Sequence, residues 1–507
     1  MYFMLSILYI IHTIIYYHIS FYNIIGEIMK IYNTASKNKE TFKTINNKKL
    51  IKMYVCGPTV YDHAHLGHGR TYVAFDIIRR YLEHKNYIVQ LIINFTDIDD
   101  KIINRANEQG TTIKELSDKF INSFLEDMEK LNVKPALIYP RVSEHINEII
   151  EFIKVLEKKG YAYATADGVY FDTSKYEKYG ELRKINIKEE TSEQKNININ
   201  KKNQRDFALW KFAKPDEPKW DSPWGEGRPA WHIECSAMSL KYLGDNFDIH
   251  GGGCDLIFPH HENEKAQSEC YTDKKWVNYW IHTGFVMVNN EKMSKSLGNF
   301  STLKDLFEKY SAELIRFFLL ERHYSSPLDY TEDAINHSKN NLDKLYNTIQ
   351  NITVAFRNSE IKYKLNEIDK NTIETIHNCT EKFYTAMDDN FNTAQALKYV
   401  FEVSTAINKY INNYANSDEL PNYSIILKSY EFFKMVGEIF GIFGSSTINT
   451  ATNTNIAEEN LINILMELRA DLKKEKNYNL SDKIRDKLKE MDIILEDSPK
   501  GTIWKKA

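Results

Sequence analysis

The sequence predicts an α/β protein, a doubly wound parallel sheet split by an insertion and followed by an α-helical bundle and a small C-terminal domain. Three observations carry this. Residues 48–103 run apolar strand, helical pattern, apolar strand, the order from which parallel sheets are wound. The same signals return between residues 226 and 300. Beyond Ser301 they give way to long amphipathic runs such as "AINHSKNNLDKLYNTIQNITVAF" and "YEFFKMVGEIFGIF", the pattern of a helical bundle.

Residues 29–145 form the first half of the sheet domain. "KKLIKMYVCGPTVYD" reads as a short apolar strand stopped by Gly57-Pro58, with Cys56 at its end. "GRTYVAFDIIRRYLEHKNY" has helical spacing, and "IVQLIINFTDIDDKII" is a buried strand followed by another helix start. Ligands of such sheets sit beyond the carboxyl ends of the strands, where Cys56 and Thr96 lie. Residues 146–225 read as an insertion: "GYAYATADGVYFD" is a hairpin around Asp167-Gly168, and "KINIKEETSEQKNININKKNQ" is a polar surface loop. The sheet resumes over 226–300, the helical region spans 301–445, and a linker around "GSSTINTATNTN" occupies 446–457. Residues 458–507 make a basic-acidic helical tail ending in "DSPKGTIWKKA".

Composition narrows the function classes. Sixty-six basic against seventy acidic residues leave a net charge of −4, so a nucleic-acid contact must come from local patches. The five cysteines are scattered and odd in number, which argues against a disulfide framework and for the reducing cytoplasm. Residues 1–28 carry no Lys or Arg and one acid, Glu27. The stretch is long enough to span a bilayer, but lacks the basic start and cleavage site of a signal peptide. Met29 is favoured as the true start, and no membrane association is expected.

A metal site is suggested by "FPHHENEKAQ", residues 258–267. The zinc-peptidase spelling HExxH is absent, and so is its reverse. Helical periodicity does bring His260 and Glu264 to one face. Two ligands do not complete a zinc site, so the rest of the chain must supply the others.

Two further motifs handle anions. "HLGHGR" sets His65 and His68 at a helix N-terminus, where the helix dipole favours phosphate; alone it reads equally as a cap or a metal pair. "KMSKS", from Lys292 to Ser296, places two lysines in a short loop, alone a solvated charge cluster. On either side of a split parallel sheet, the two together resemble the nucleotide-binding signatures of class I aminoacyl-tRNA synthetases. With "NFTDIDDKII", "GRPAWHIECSAM" and "FDIHGGGCDLIFPHHENEKAQS", the chain resembles the cysteinyl-tRNA synthetase family from about Met29 to Trp504.

That resemblance implies a Rossmann-type catalytic domain, ATP with Mg2+, L-cysteine and tRNA(Cys) as partners, a monomer, and one zinc ion held by Cys56, Cys235, His260 and Glu264. Two thiolates, an imidazole and a carboxylate make an acceptable tetrahedral shell. His261, His250 and Cys254 are rivals, ranked lower because His261 should project off the His260–Glu264 face and Cys254 sits in a Gly-rich loop. The zinc would select the substrate thiolate against serine, which a small apolar pocket separates by only roughly 1–3 kcal/mol. Activation of cysteine as an adenylate implies His65, His68, Lys292 and Lys295 around the phosphates. Thr96 and Trp231, with His250 near, would line the amino-acid pocket; an ordinary core aromatic is the other reading of Trp231. The tail implies Lys473, Asp482 and Asp497 as readers of anticodon bases and Tyr478 as a stacking platform where the family often has Trp. The alternative, a cysteine–amino-sugar ligase of the same ancestry, could dispense with such a tail.

Overall fold

After a short antiparallel hairpin, β1 (Lys30–Asn33) with β2 (Asn38–Thr41), the chain enters the sheet that organises its first unit. β3 (Leu50–Val55) leads through α1 (Leu66–His84) to β4 (Ile88–Ile93), which lies parallel to β3 with Leu50 opposite Ile88 and Val55 opposite Ile93. Both strands become fully buried toward their carboxyl ends, as parallel strands covered on both faces must. A computed structural model describes residues 28–183, 200–215, 217–288, 291–292, 301–415, 417–444, 456–474, 476–490, 493–498 and 501–506. The chain divides into two units, Met1–Asn336 with Thr385–Ala394, and His337–Tyr384 with Gln395–Ala507.

Between the halves of the parallel sheet come α2 (Asp100–Gln109), α3 (Ile113–Lys130) and α4 (Ile146–Lys158). Thr112 and Glu115 close α3 with a capping box, satisfying two of its orphan donors. A four-stranded antiparallel sheet follows, of β5 (Ala162–Ala164), β6 (Gly168–Phe171), β7 (Phe207–Phe212) and β8 (Gly227–Pro229) in that order. The β5–β6 hairpin turns at Asp167-Gly168, as its sequence indicates. The sheet runs past residue 225 because β8 pairs with β7, Trp210 opposite Pro229. It does not fold away from the parallel sheet: one buried cluster joins Tyr54 and Ile92 to Phe171, Trp210, Ile233 and Trp276.

α5 (Trp231–Leu243) then leads to β9 (Phe247–Gly253), which pairs with the free edge of β3, and α6 (Glu262–Thr272) leads to β10 (Val277–Thr283) beside β9. The strand order β10-β9-β3-β4 is parallel throughout. Its direction of winding reverses between β3 and β9, and a crevice at such a reversal is where these sheets bind ligands. The exits of β3 and β4 touch closely; a Cβ on Gly57 would lie 1.5 Å from the Asn94 carbonyl oxygen, so only glycine fits there. β11 (Val286–Val288), β12 (Glu291–Lys292), α7 (Leu303–Lys309), α8 (Ala312–Leu320) and β13 (Leu328–Tyr330) complete the unit, β11 pairing with both short strands.

The second unit takes the greater parts of α9 (Glu332–Arg357), α10 (Glu367–Asp388) and α11 (Thr393–Ala415), then α12 (Tyr423–Phe440). Their buried residues recur at helical spacing, as in Val400, Val403 and Ile407 or Phe432, Val436 and Phe440. α13 (Ile456–Lys474), α14 (Tyr478–Glu490) and the hairpin β14 (Ile493–Ser498) with β15 (Gly501–Lys506) follow. Ile462, Leu488 and Ile493 give these four elements a small core of their own.

Candidate metal centre and nucleotide cleft

The helix that follows β3 begins with a reciprocal cap. His65, the N-cap of α1, accepts the His68 N–H at Nδ1 (3.3 Å), and His68 Nδ1 accepts the His65 N–H (3.2 Å). The rings stack with centroids 3.8 Å apart. Accepting at Nδ1 assigns the proton of each neutral ring to Nε2. The cap thus fixes two imidazoles at the positive end of a helix, and both line a cleft of about 370 Å³.

Elsewhere on the lining of that cleft, side chains from three elements converge. Cys56 leaves β3, Cys235 lies in α5, and His260 and Glu264 flank the start of α6. Cys56 Sγ is 3.7 Å from Cys235 Sγ and 3.4 Å from Glu264 Oε1, and His260 Nε2 is 2.9 Å from the same oxygen. The four donor atoms lie within 4.8 Å of one another, all buried. Cys56, Cys235 and His260 also line the cleft.

A second group overlaps the first. Cys56, His250, His261 and Glu264 satisfy the same distance limit. His261 comes near the carboxylate, its Nε2 3.9 Å from Glu264 Oε1. It lies a quarter turn from His260 but is an i, i+3 neighbour of Glu264, and it is itself α-helical at φ −68°, ψ −31°; the break in the preceding π-helical turn lies farther back, at Phe258. His261 Nδ1 is engaged 2.7 Å from His282 Nε2, and neither His250 nor His261 lines the cleft.

The charge balance of the first group suits a cation. Burial would raise the Cys235 thiol, but the hydrogen bond from Cys56 and the charge of His260 bring it down to about 6. Burial opposes protonation of His260, yet the Glu264 carboxylate and Cys235 lift it to about 10. Burial would likewise raise Glu264, and His260 with His250 holds it well below the usual carboxylate range. Burial pushes the Cys56 thiol up. A proton on His260 therefore compensates a thiolate and a carboxylate, the role a bound metal takes over when ligands give up their protons. Two sulfurs, one nitrogen and one carboxylate oxygen on strand and helix ends fit zinc.

The expected pocket residues fall in different places. Thr96 is buried and lines the cleft. Trp231 is 38% exposed rather than a core aromatic, and also lines it. His250 sits behind the wall: fully buried, it places Nε2 2.9 Å from Glu264 Oε2 and stacks on Trp280. Its geometry is that of a group orienting Glu264, not of one facing substrate. Lys292 ends β12, and Lys295 lies outside the described residues. Two residues were not singled out from sequence. His232 meets His260 Nδ1 to Nδ1 at 3.0 Å. Glu234, one position before Cys235, is wholly buried with Oε1 unpartnered. A lone acid in the apolar run "WHIECSAM" is the signal that could have found it.

In the second unit, Tyr478 opens α14 and is 59% exposed. Asp482 faces Arg485 at 3.2 Å on the surface. Asp497 is differently placed. Arg469 grips it bidentately (2.7 and 2.9 Å), while Lys473 and Thr502 each donate to it (2.8 and 2.6 Å). Four donors fill the four lone-pair sites of a carboxylate. Asp497 and Lys473, expected as base readers, are thus paired with each other, and Asp497 is held chiefly by Arg469.

A parallel sheet with its reversal crevice, histidines capping the first helix and a lysine strand beyond the last parallel strand define a class I tRNA synthetase catalytic domain. Residues 41–340 match the family "tRNA synthetases class I (C) catalytic domain", and residues 382–444 match the "DALR domain". The chain belongs to the cysteine–tRNA ligase family. It is 57% identical over 479 residues to the cysteine–tRNA ligase of Thermococcus onnurineus (strain NA1), covering 94% of this chain and 99% of that protein. It is 56% identical over 481 residues to the enzyme of Methanococcus maripaludis (strain C7), with the same coverage. Among solved structures, Mycobacterium tuberculosis methionyl-tRNA synthetase bound by methionyl-adenylate shares the fold at a TM-score of 0.65 and 15% identity, covering 80% of this chain and 94% of that one. Similarity that extends through the C-terminal half does not favour the amino-sugar ligase alternative.

Proposed function

We propose that this chain activates L-cysteine with ATP and transfers it to tRNA(Cys), with zinc held by Cys56, Cys235, His260 and Glu264. One observation supports this most: the thiol and imidazole donors and the His65–His68 cap line the same cleft, so an anchored thiol and the phosphates of ATP would share one enclosure. Bound zinc would supply a soft Lewis acid for the substrate thiolate, a bond the harder hydroxyl of serine does not match.

The chain's own groups then do the positioning. The carboxylate of cysteine attacks the α-phosphate of ATP, which enters with Mg2+, and pyrophosphate leaves in line. His65 and His68 bring two imidazoles to the helix terminus, and Lys292 and Lys295 supply positive charge where negative charge develops on the phosphates. Thr96 and Trp231 bound the amino-acid pocket. Tyr478 and Asp482 remain the exposed candidates for contact with the anticodon. The resemblance to the family leads us to assign the active species as a monomer. None of its five cysteines, all of them described, is in a disulfide, which suits a reducing compartment such as the cytoplasm. No helix among the described residues is long and apolar enough to cross a membrane.

ATP–pyrophosphate exchange measured with each amino acid tests this reading. Exchange should depend on cysteine, and serine should not replace it. Equal exchange with serine would overturn the role of the metal site, and transfer of cysteine to an amino sugar in place of tRNA would overturn the assignment.

A further inference from the structure

Behind the cleft wall runs a chain of hydrogen bonds that ends on the buried Glu234. The Gly57 N–H donates to Asn94 Oδ1 (2.9 Å), which fixes the Asn94 amide so that Nδ2 points to Thr96 Oγ1 (3.3 Å). Thr96 Oγ1 in turn donates to Glu234 Oε2 (3.3 Å). A hydroxyl has one proton and two lone pairs. Glu234 takes the proton and Asn94 occupies one lone pair, so the remaining lone pair is the only hydrogen-bonding capacity Thr96 has left. Thr96 lines the cleft. Its neighbour Glu234 does not, being wholly enclosed with Oε1 unpartnered.

A wall hydroxyl that can only accept selects a ligand group that donates, as an ammonium does; burial holds the Glu234 carboxyl well above its ordinary range, so the selection lies in hydrogen-bond direction and not in charge. We propose that Glu234 is a positioning residue that locks Thr96 as an acceptor for the α-ammonium group of the amino-acid substrate. The assignment rests on the reading of the cleft as the amino-acid site. It gives that site a second point of recognition, independent of the thiol. The ammonium donates to the one Thr96 lone pair that Asn94 and Glu234 leave open. A substrate of the same length without the amino group leaves the Thr96 lone pair unmatched, and unmatched buried polar groups are what give polar sites their selectivity.

The experiment compares L-cysteine with 3-mercaptopropionate, its deamino analogue, as a competitor of cysteine-dependent ATP–pyrophosphate exchange in the full-length zinc-loaded protein. Wild type should prefer cysteine. Glu234→Met removes the acceptor for the Thr96 proton and frees that hydroxyl to turn into the cleft. Its preference for cysteine over the analogue should drop by roughly ten- to hundredfold, the worth of a hydrogen bond to a charged group. The drop should appear in the KM for cysteine, with inhibition by the analogue unchanged. Glu234→Gln keeps an acceptor oxygen toward Thr96 and should restore most of the preference. Thr96→Val, nearly isosteric and remote from any folding defect at position 234, should reproduce the loss. If Glu234→Met weakens cysteine and the analogue equally, or changes neither, the assignment is overturned. A wild-type protein without cysteine-dependent exchange would overturn the reading of the cleft itself, which separates the two failures.

Discussion

The indole of Trp231 lies on the imidazole of His260, centroids 4.5 Å apart and planes 27° apart. The stack holds His260 with Nε2 toward Glu264 and Nδ1 toward His232. It therefore ties a wall of the cleft to one donor of the first candidate metal group and to none of the donors found only in the second.

The two overlapping groups give opposite mutational outcomes. Cys235 and His260 belong only to the first, His250 and His261 only to the second. Cys235→Ser should lose bound zinc and cysteine activation together, since a hydroxyl is a poor substitute for a thiolate. His261→Asn should retain zinc near one per chain. Cys254→Ser and Cys379→Ser should also retain it. Elemental analysis of the purified variants decides, and metal lost from His261→Asn but kept in Cys235→Ser would move the ion to the second group.

The histidine cap has a structural and a chemical role that differ in size. His65→Ala removes an N-cap bond, worth about 1 kcal/mol, and should lower the unfolding midpoint by a few degrees. Loss of a charge-stabilising donor costs about a hundredfold in rate or more, so adenylate formation should fall far beyond the loss of stability. Proportionate losses in thermal unfolding and pyrophosphate exchange would reduce the pair to a cap.

Lys295 is assigned from sequence to the leaving phosphates. Lys295→Ala should slow cysteinyl-adenylate formation by about a hundredfold while leaving cysteine binding nearly unchanged, because the lysine meets charge that appears in the transition state. Single-turnover kinetics with equilibrium binding separates the two. A change confined to cysteine affinity refutes the assignment.

The C-terminal elements should respond in two ways. Tyr478→Ala and Asp482→Ala touch exposed groups and should weaken tRNA charging with the fold intact, each stacked base being worth roughly 1–3 kcal/mol. Asp497→Ala strands Arg469, whose side chain is 1% exposed, and should loosen the β14–β15 hairpin as well as weaken charging. Deleting 458–507 should spare pyrophosphate exchange. Hydrogen exchange of the hairpin amides distinguishes the classes, and protection unchanged in Asp497→Ala would argue against its structural role.

Asp127 gives a pH signature in the first unit. Burial raises its carboxyl from the ordinary 3.8 to about 6, and its Oδ2 has no partner. Between those values the unfolded chain has released the proton and the folded chain still holds it, so stability falls as pH rises and levels off above about 6. Asp127→Asn lacks this fall. Its melting temperature should exceed that of wild type by a few degrees at pH 7, with the difference vanishing near pH 4; a difference independent of pH would sink the prediction.

The parallel sheet was legible because its strands are continuous apolar runs stopped by Gly57-Pro58 or followed by helix signals, a pattern set by burial on both faces. His260 and Glu264 were legible through helical spacing. What escaped depends on contacts made across the chain. His261 is an exception, set aside for its phase to His260 although its i, i+3 spacing to Glu264 brings the two within 3.9 Å. His250 is read as a pocket residue until β9 is seen to turn it inward. Asp497 has the look of a surface reader until Arg469, 28 positions earlier, is found holding it.

Cys56 and Glu264, whose side chains meet in the candidate metal centre, are separated by 208 positions. During synthesis the thiol of Cys56 therefore leaves the ribosome long before its partners exist. At about 5–20 residues per second the interval is roughly 10–40 s. Over that time the nascent chain carries a cysteine without its site, so capture of metal follows translation of α6 and cannot guide the folding of the first strands. In that window the Cys56 thiol is open to exchange with other thiols, because its proposed co-ligands have not yet been made.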